Sequence, residues 1–229
     1  MAQIKTKAEI AKIKKACEIT DAIFSKIVSD FYFQTEIELQ QFIITEIKKR
    51  KLRPSFPPIV TSGKQAGNDI HPKPTDAKLK GFVIIDFGVV YRGYMSDMTR
   101  TVFIGTPTVK EKQVYDLVLK AKETATLVVF PGIKCTVADQ AARDAFGKYA
   151  KYFIHTLGHG VGKKIHEAPK IFFKRTKPYF REHMIVTIEP GLYIPNKSGI
   201  RIEDTGVVTQ KGFIALTRSP KKLFVFKKK

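Results

Sequence analysis

The sequence has no tryptophan and only two cysteines in 229 residues. Cys17 and Cys135 lie far apart and match no zinc or redox spacing, so they read as reduced thiols of a cytoplasmic protein. No run approaches the ~18 apolar residues that span a bilayer, so no membrane partner is expected. The N-terminal stretch has no apolar core and no small-residue cleavage site, which argues against a secretory signal. No Pro/Ser-rich linker divides the chain, so one domain over residues 1–229 is expected. Acidic residues are also scarce: 21 Asp and Glu face 41 Lys and Arg, a formal net charge of +20. Such an excess can serve nucleic acid or acidic partners. The chain has no RNP-like aromatic motif, no zinc-finger spacing and no Gly-rich phosphate loop, so a basic solvated surface is the favoured reading and nucleic acid is not expected as a partner.

What is present is an ordinary globular composition. Apolar residues at 43% and charged residues at 27% exclude wholesale disorder and a collagen-like fibre. Residues 7–31 carry apolar positions at helical spacing, among them Ile13, Ala16, Ile23 and Ile27. Thr35 followed by Glu38 is a capping-box pattern opening a second helix over 36–50. A short strand is predicted at Ile59–Ser62, and the Gly- and Pro-rich stretch 63–81 as loop. Phe82–Phe87 and Tyr94–Ile104 read as antiparallel strands around a turn holding Gly88, Arg92 and Gly93. A helix over 110–129 ends at Pro131-Gly132, and Thr136 is placed to cap another over 137–149. Residues 152–157, 184–190, 200–208 and 212–217 read as strands. Two halves of similar plan imply an α+β fold with pseudo-twofold organisation and a site between the halves.

Three clusters carry chemistry. In IIDFGVVYRGYMSDMTRTVFIG, Asp86 sits in an apolar strand, and a hairpin can bring Asp97 to the same sheet face. A buried carboxylate is costly unless it is paired or binds a metal. An ion pair to Arg100 accounts for Asp97 equally well. In FIHTLGHGVGKKIHEAP, His155, His159 and His166 are three of only five histidines, and glycines flank His159. Imidazole is a metal ligand and a proton carrier. In MIVTIEPGLYIPNKSGIRIEDTGVVT, Glu189 and Glu203 occupy positions where core residues would be cheaper, although alternation on a two-faced strand also permits them. Asp86, Asp97, His159, Glu189 and Glu203 together suit divalent Mn, Co, Fe or Zn. Two bridging carboxylates would hold two such ions, which lower the pKa of a water between them and polarise a carbonyl.

These motifs, IDFG…GYMSDMTRT, HTLGHGVG…HEAP, TIEPGLY and GIRIEDTGVVT, resemble those of the pita-bread metallopeptidases, the family of methionine aminopeptidase, Xaa-Pro aminopeptidase and prolidase. The resemblance runs from about residue 7 to 223. It implies a pita-bread fold with an antiparallel sheet flanked by helices, two divalent cations, a peptide substrate and a possible homodimer. By the same resemblance Asp86 serves one ion, His159 and Glu189 the other, and Asp97 and Glu203 bridge both. His71, in NDIHPKP, falls where the family has a histidine near the scissile amide. His166 falls where a histidine contacts the substrate carbonyl, and Glu189 doubles as general base.

His155 and Arg201 resemble the Xaa-Pro branch rather than methionine aminopeptidase, so an exopeptidase cleaving before proline is expected. The chain begins where the catalytic domain of that branch begins, so the N-terminal domain usual there is expected to be lacking. That layout favours the alternative, removal of an N-terminal methionine. A non-catalytic protein binding peptide or nucleic acid is the remaining reading, opposed by the intact ligand set.

Overall fold

The computed structural model describes residues 4–174 and 178–227. Helices α1 (Lys7–Ser29) and α2 (Glu36–Lys49) open the chain. Both begin in capping boxes, Thr6 with Glu9 and Thr35 with Glu38, which satisfy otherwise orphaned first-turn amides. Strands β1 (Arg53–Pro54) and β2 (Ile59–Ser62), the short helix α3 (Gly63–Asn68), and strands β3 (Gly81–Phe87), β4 (Val89–Tyr91), β5 (Tyr94–Met95) and β6 (Met98–Ile104) follow. The second half begins with α4 (Val109–Leu127), α5 (Cys135–Phe146) and a 3-10 turn (Gly147–Tyr152). It continues with β7 (Gly158–Gly160), β8 (Glu167–Ile171), β9 (Ile185–Ile188), β10 (Gly191–Ile194), β11 (Ser198–Arg201), β12 (Asp204–Thr209), β13 (Gly212–Ala215) and β14 (Val225–Phe226).

Two sheets dominate. One runs β14-β6-β3-β2, the other β13-β12-β9-β7-β8. The apolar faces of α1 and α2 bury Ile23, Phe24, Leu39 and Ile43 with Val83 and Phe87 of the first sheet. Helices α4 and α5 bury Tyr115, Val118, Ala138 and Phe146 with Val186, Ile188 and Val208 of the second. The halves are stitched along one seam. Glu203 N donates to Thr99 O at 3.1 Å, and Thr205 Oγ1 donates to Asp97 O at 2.7 Å. Thr101 Oγ1 donates to Arg201 O at 2.8 Å. The expected α+β plan, with its two similar halves, is present.

Behind the seam lies a buried ion cluster. Arg100 is 1% exposed, and its Nη2 meets Asp204 Oδ1 at 2.6 Å. Arg100 also donates to the carbonyls of Thr99, Glu203 and Ser219. Lys122 and Lys221 meet the other oxygen of Asp204. Burial raises the Asp204 pKa, but these three cations outweigh it and hold the carboxyl well below its ordinary range. Arg100 is thereby committed to Asp204, which removes it as the partner of Asp97.

Several element boundaries differ from the sequence expectation. The stretch 63–81 is not all loop, because residues 63–68 form α3. Helix α5 is capped at Lys134 rather than Thr136, and it stops at Gly147, whose φ of 53° leaves the helical region. No strand forms over 152–157, because Arg143 takes the carbonyls of Phe153 and His155 at 3.0 and 3.1 Å, in place of a ladder partner. The long strands predicted at 94–104 and 200–208 are each interrupted, before Met98 and before Asp204. Those interruptions hold Asp97 and Glu203.

The ion cluster yields a stability prediction. Asp204→Ala strands three cations, two of them buried, and should cost about 3–5 kcal/mol, whereas Thr35→Ala, which removes a cap, should cost ~1 kcal/mol. Urea unfolding of both variants measures the difference. An Asp204→Ala loss no larger than that of Thr35→Ala would contradict the network's role.

Candidate metal centre

Each acidic residue of the site stands where a strand delivers it. Asp86 lies inside β3, with register partners Ile59 and Thr99. Asp97 stands just before β6, Glu189 just after β9, and Glu203 between β11 and β12. His159 is the central residue of β7, held by its amide donating to Thr187 Oγ1 at 3.0 Å. The seam between the sheets brings all five onto the floor of one pocket, about 930 Å³ in volume.

The donor atoms of Asp97, His159 and Glu203 lie within 4.8 Å of one another. His159 Nε2 is 3.6 Å from Asp97 Oδ2 and 3.3 Å from Glu189 Oε1. Its Nδ1 faces Gly160 O at 3.1 Å, which assigns the proton to Nδ1 and leaves Nε2 a lone pair aimed at the carboxylates. Glu203, 1% exposed, accepts from Thr99 Oγ1 at 2.7 Å. Glu189 Oε1 accepts from Thr187 Oγ1 at 3.0 Å. Arg201 Nη2 donates to Asp86 Oδ2 at 2.6 Å, while Asp86 Oδ1 is buried without a partner.

Electrostatics strain this arrangement. Burial, then Glu203, Asp86 and Glu189, push Asp97 well above its ordinary range. Burial, then Glu189 and Asp86, do the same to Glu203. Burial raises Glu189 to about 8, with Asp86 adding and Arg201 and Thr187 opposing. Burial lowers His159 to about 4, so its ring is neutral near pH 7. A neutral imidazole, crowded carboxyls and an orphaned carboxylate oxygen form a donor set that fits divalent cations, since added positive charge reverses the repulsion. Among the described residues, Asp97, His159 and Glu203 are the one group of metal-ligating side chains this close together.

The remaining predicted residues surround the floor. His155 Nε2 is 3.0 Å from Tyr193 Oη, and its Nδ1 is 2.8 Å from Thr156 O. Arg201 Nη1 donates to the same Tyr193 oxygen at 2.6 Å. Tyr193 therefore donates its O–H to His155 Nε2, while His155 Nδ1–H donates to Thr156 O. Burial lowers His155 to about 3, which keeps it neutral. The His166 ring packs edge-on against His159, with centroids 4.4 Å apart. His71 also lines the pocket, on the segment containing Pro72 and Pro74. Burial lowers the pKa of both His71 and His166. Phe56, Pro57, Pro58 and Ile165 supply apolar lining. All nine residues singled out from the sequence thus line this one pocket. Thr99, Thr187 and Tyr193, which orient them, are not among those singled out from the sequence, although they lie within the motifs GYMSDMTRT and TIEPGLY.

Comparison with known proteins agrees with the geometry. Residues 11–210 match metallopeptidase family M24. A Xaa-Pro dipeptidase of Pyrococcus furiosus is 37% identical over 227 residues, covering 96% of this chain and 64% of that protein. A Xaa-Pro dipeptidase structure from Bacillus anthracis superposes with a TM-score of 0.92 at 38% identity, over 97% of this chain and 64% of that one. An X-Pro aminopeptidase structure from Thermotoga maritima gives 0.92 at 35% identity, over 98% and 65%. The chain therefore spans just under two thirds of the length of these relatives, and it has the pita-bread fold expected from its sequence.

The crowded carboxyls generate a pH prediction. Asp97, Glu189 and Glu203 have folded pKa values above their unfolded ones, so the chelator-stripped fold is favoured while they are protonated. Between pH 6.5, above which the buried histidines are neutral whether the chain is folded or not, and the folded value of about 8 for Glu189, stability should fall as pH rises. Urea midpoints across that range test this, with Mn²⁺ stabilising more at the upper end. A profile that rises with pH, or no effect of the ion, would contradict the crowding argument.

Proposed function

We propose a function on one premise: the chain belongs to metallopeptidase family M24. Residues 1–229 act as one catalytic domain, a metal-dependent exopeptidase that hydrolyses the N-terminal peptide bond of peptides, with proline after that bond. The observation that carries this is the convergence of Asp97, His159 and Glu203 within 4.8 Å, beside Asp86 and Glu189, at the floor of a pocket roomy enough for a peptide.

Five side chains would hold two divalent cations of the Mn, Co, Fe or Zn class. Asp86 would serve one, His159 and Glu189 the other, with Asp97 and Glu203 shared. Such cations, when bound, polarise the substrate carbonyl and make water a nucleophile at neutral pH. The chain's own groups do the rest. Glu189 takes the proton of the attacking water at its carboxylate, oriented by the Thr187 hydroxyl. His71 and His166, both kept neutral by burial, offer N–H donors on the pocket walls toward the scissile amide and its carbonyl oxygen. Arg201 fixes one Asp86 oxygen and leaves the other without a partner, while Tyr193 ties Arg201 to His155. Proline preference is supported by the His155 and Arg201 pattern, and by relatives described as Xaa-Pro peptidases.

The cytoplasm is the proposed location, consistent with two buried, unpaired cysteines. No described helix is long and apolar enough to cross a membrane.

A cleavage panel tests the reading. The Mn²⁺-loaded protein should cleave a Xaa-Pro dipeptide or a Xaa-Pro-Xaa tripeptide, and chelator should abolish the activity. Asp97→Ala and Glu203→Ala should each lower kcat/KM by at least about a hundredfold, because each removes a shared ligand. Cleavage of a Met-Ala-Ser peptide alone would replace the proline reading with methionine removal. Full activity in both variants would remove the metal assignment.

A further inference from the structure

The pocket wall that bears His71 is not part of either sheet. It hangs between Ser62, the last residue of β2, and Thr75. Both of these roots are bound by one buried side chain from another element. Glu36, in the first turn of α2, is 0% exposed. Its Oε1 accepts from Ser62 N at 2.7 Å and from Ser62 Oγ at 3.3 Å. Its Oε2 accepts from Thr75 N and Thr75 Oγ, each at 3.0 Å.

The helix end adds to this grip. The first amides of a helix lack intrahelical partners, and here Glu36 N and Ile37 N donate to Ala77 O and Thr75 O. Gln40, one turn on, donates from Nε2 to Pro58 O at 2.7 Å, on a neighbouring stretch of the pocket lining. Between the roots, Arg201 Nη1 reaches Ile70 O at 3.2 Å, and His71 N donates to Asp69 Oδ1 at 2.9 Å. The ion pairs among the described residues do not include Glu36, so its carboxyl works entirely through these four donors.

We propose that Glu36 is a positioning residue for the pocket: its carboxyl clasps both roots of the His71 segment and thereby sets where His71 stands over the site. The inference rests on the catalytic reading above for its kinetic consequence, and on the four hydrogen bonds alone for its structural one. Gln is the informative replacement. It keeps the shape, but whichever way it is turned its amide nitrogen faces a backbone N–H, of Ser62 or of Thr75, from which it cannot accept, so one root of the clasp is weakened. Displacement of a catalytic group by about 1 Å can cost on the order of a hundredfold.

The test uses the full chain loaded with Mn²⁺. Glu36→Gln should lower kcat/KM for a Xaa-Pro peptide by about 10- to 100-fold, mainly in kcat, with bound metal unchanged. Amide hydrogen exchange over residues 62–78 should accelerate while the strands carrying the metal ligands keep their protection. In a His71→Ala background Glu36→Gln should cost less than about threefold, because the two act through the same group. Should Glu36→Gln fail to fold, Thr75→Val removes one hydroxyl of the clasp and should shift exchange and kcat in the same direction by less.

A full Glu36→Gln penalty added to that of His71→Ala would overturn the proposal, and so would unchanged exchange over 62–78. A wild-type protein that cleaves no peptide would defeat the catalytic reading instead. The exchange data then decide the clasp, with acceleration supporting it and no change overturning it.

Discussion

Asp86, Asp97, Glu189 and Glu203 share one pocket floor, and Asp86, Asp97 and Glu203 are buried there. Burial disfavours the ionised forms of Asp97, Glu189 and Glu203, and neighbouring carboxylates add to the cost. Arg201 offsets part of this by taking one oxygen of Asp86, but the other oxygen has no partner in the protein. The seam between the two sheets exists at this expense. The same residues that stitch it, Thr99, Arg201 and Glu203, are those that hold or orient the acidic groups. A fold that concentrates negative charge at its central seam has to be organised around counter-charge there.

The counter-charge is arranged in layers. Arg201 faces the acidic floor directly. Immediately behind, Arg100 donates to the carbonyls of Thr99 and Glu203 and pairs with Asp204, which also pairs with Lys122 and Lys221. The backbone on either side of Glu203 is thus gripped from the rear, while its carboxyl is aimed forward by Thr99. The same economy explains part of the basic surplus. Acidic residues are few, and some serve several cations at once. Glu46 pairs with Lys26, Lys49 and Arg50, and Asp204 with Arg100, Lys122 and Lys221.

Local signals made much of the fold legible in the sequence. Helical spacing placed α1, and the Thr35–Glu38 capping box placed the start of α2 to the residue. The acidic positions were legible because each is an expensive residue in or beside an apolar run, the histidines because three of the five cluster in one glycine-rich stretch, and all of them because long motifs resemble one family. What could not be read depends on contacts between distant residues. Residues 152–157 look like a strand, yet Arg143 captures their carbonyls. Thr136 looks like a cap, yet the helix starts two residues before the predicted 137, with Cys135 N donating to Pro178 O. Tyr193 and Glu36 gain their meaning only from partners brought together by the tertiary structure: Arg201 and His155 for one, Ser62 and Thr75 for the other. A first-turn glutamate in particular reads as an ordinary helix-end charge until its burial is known.

The proposed chemistry stands or falls on whether the crowded floor takes up cations in pairs. Calorimetric titration of chelator-stripped protein with Mn²⁺, run in parallel on wild type and Asp97→Asn, measures this directly. The account predicts two equivalents bound per chain in the wild type, and a loss of both high-affinity events in the variant, because Asp97 is shared. No binding, or a wild-type stoichiometry left intact by Asp97→Asn, would contradict it.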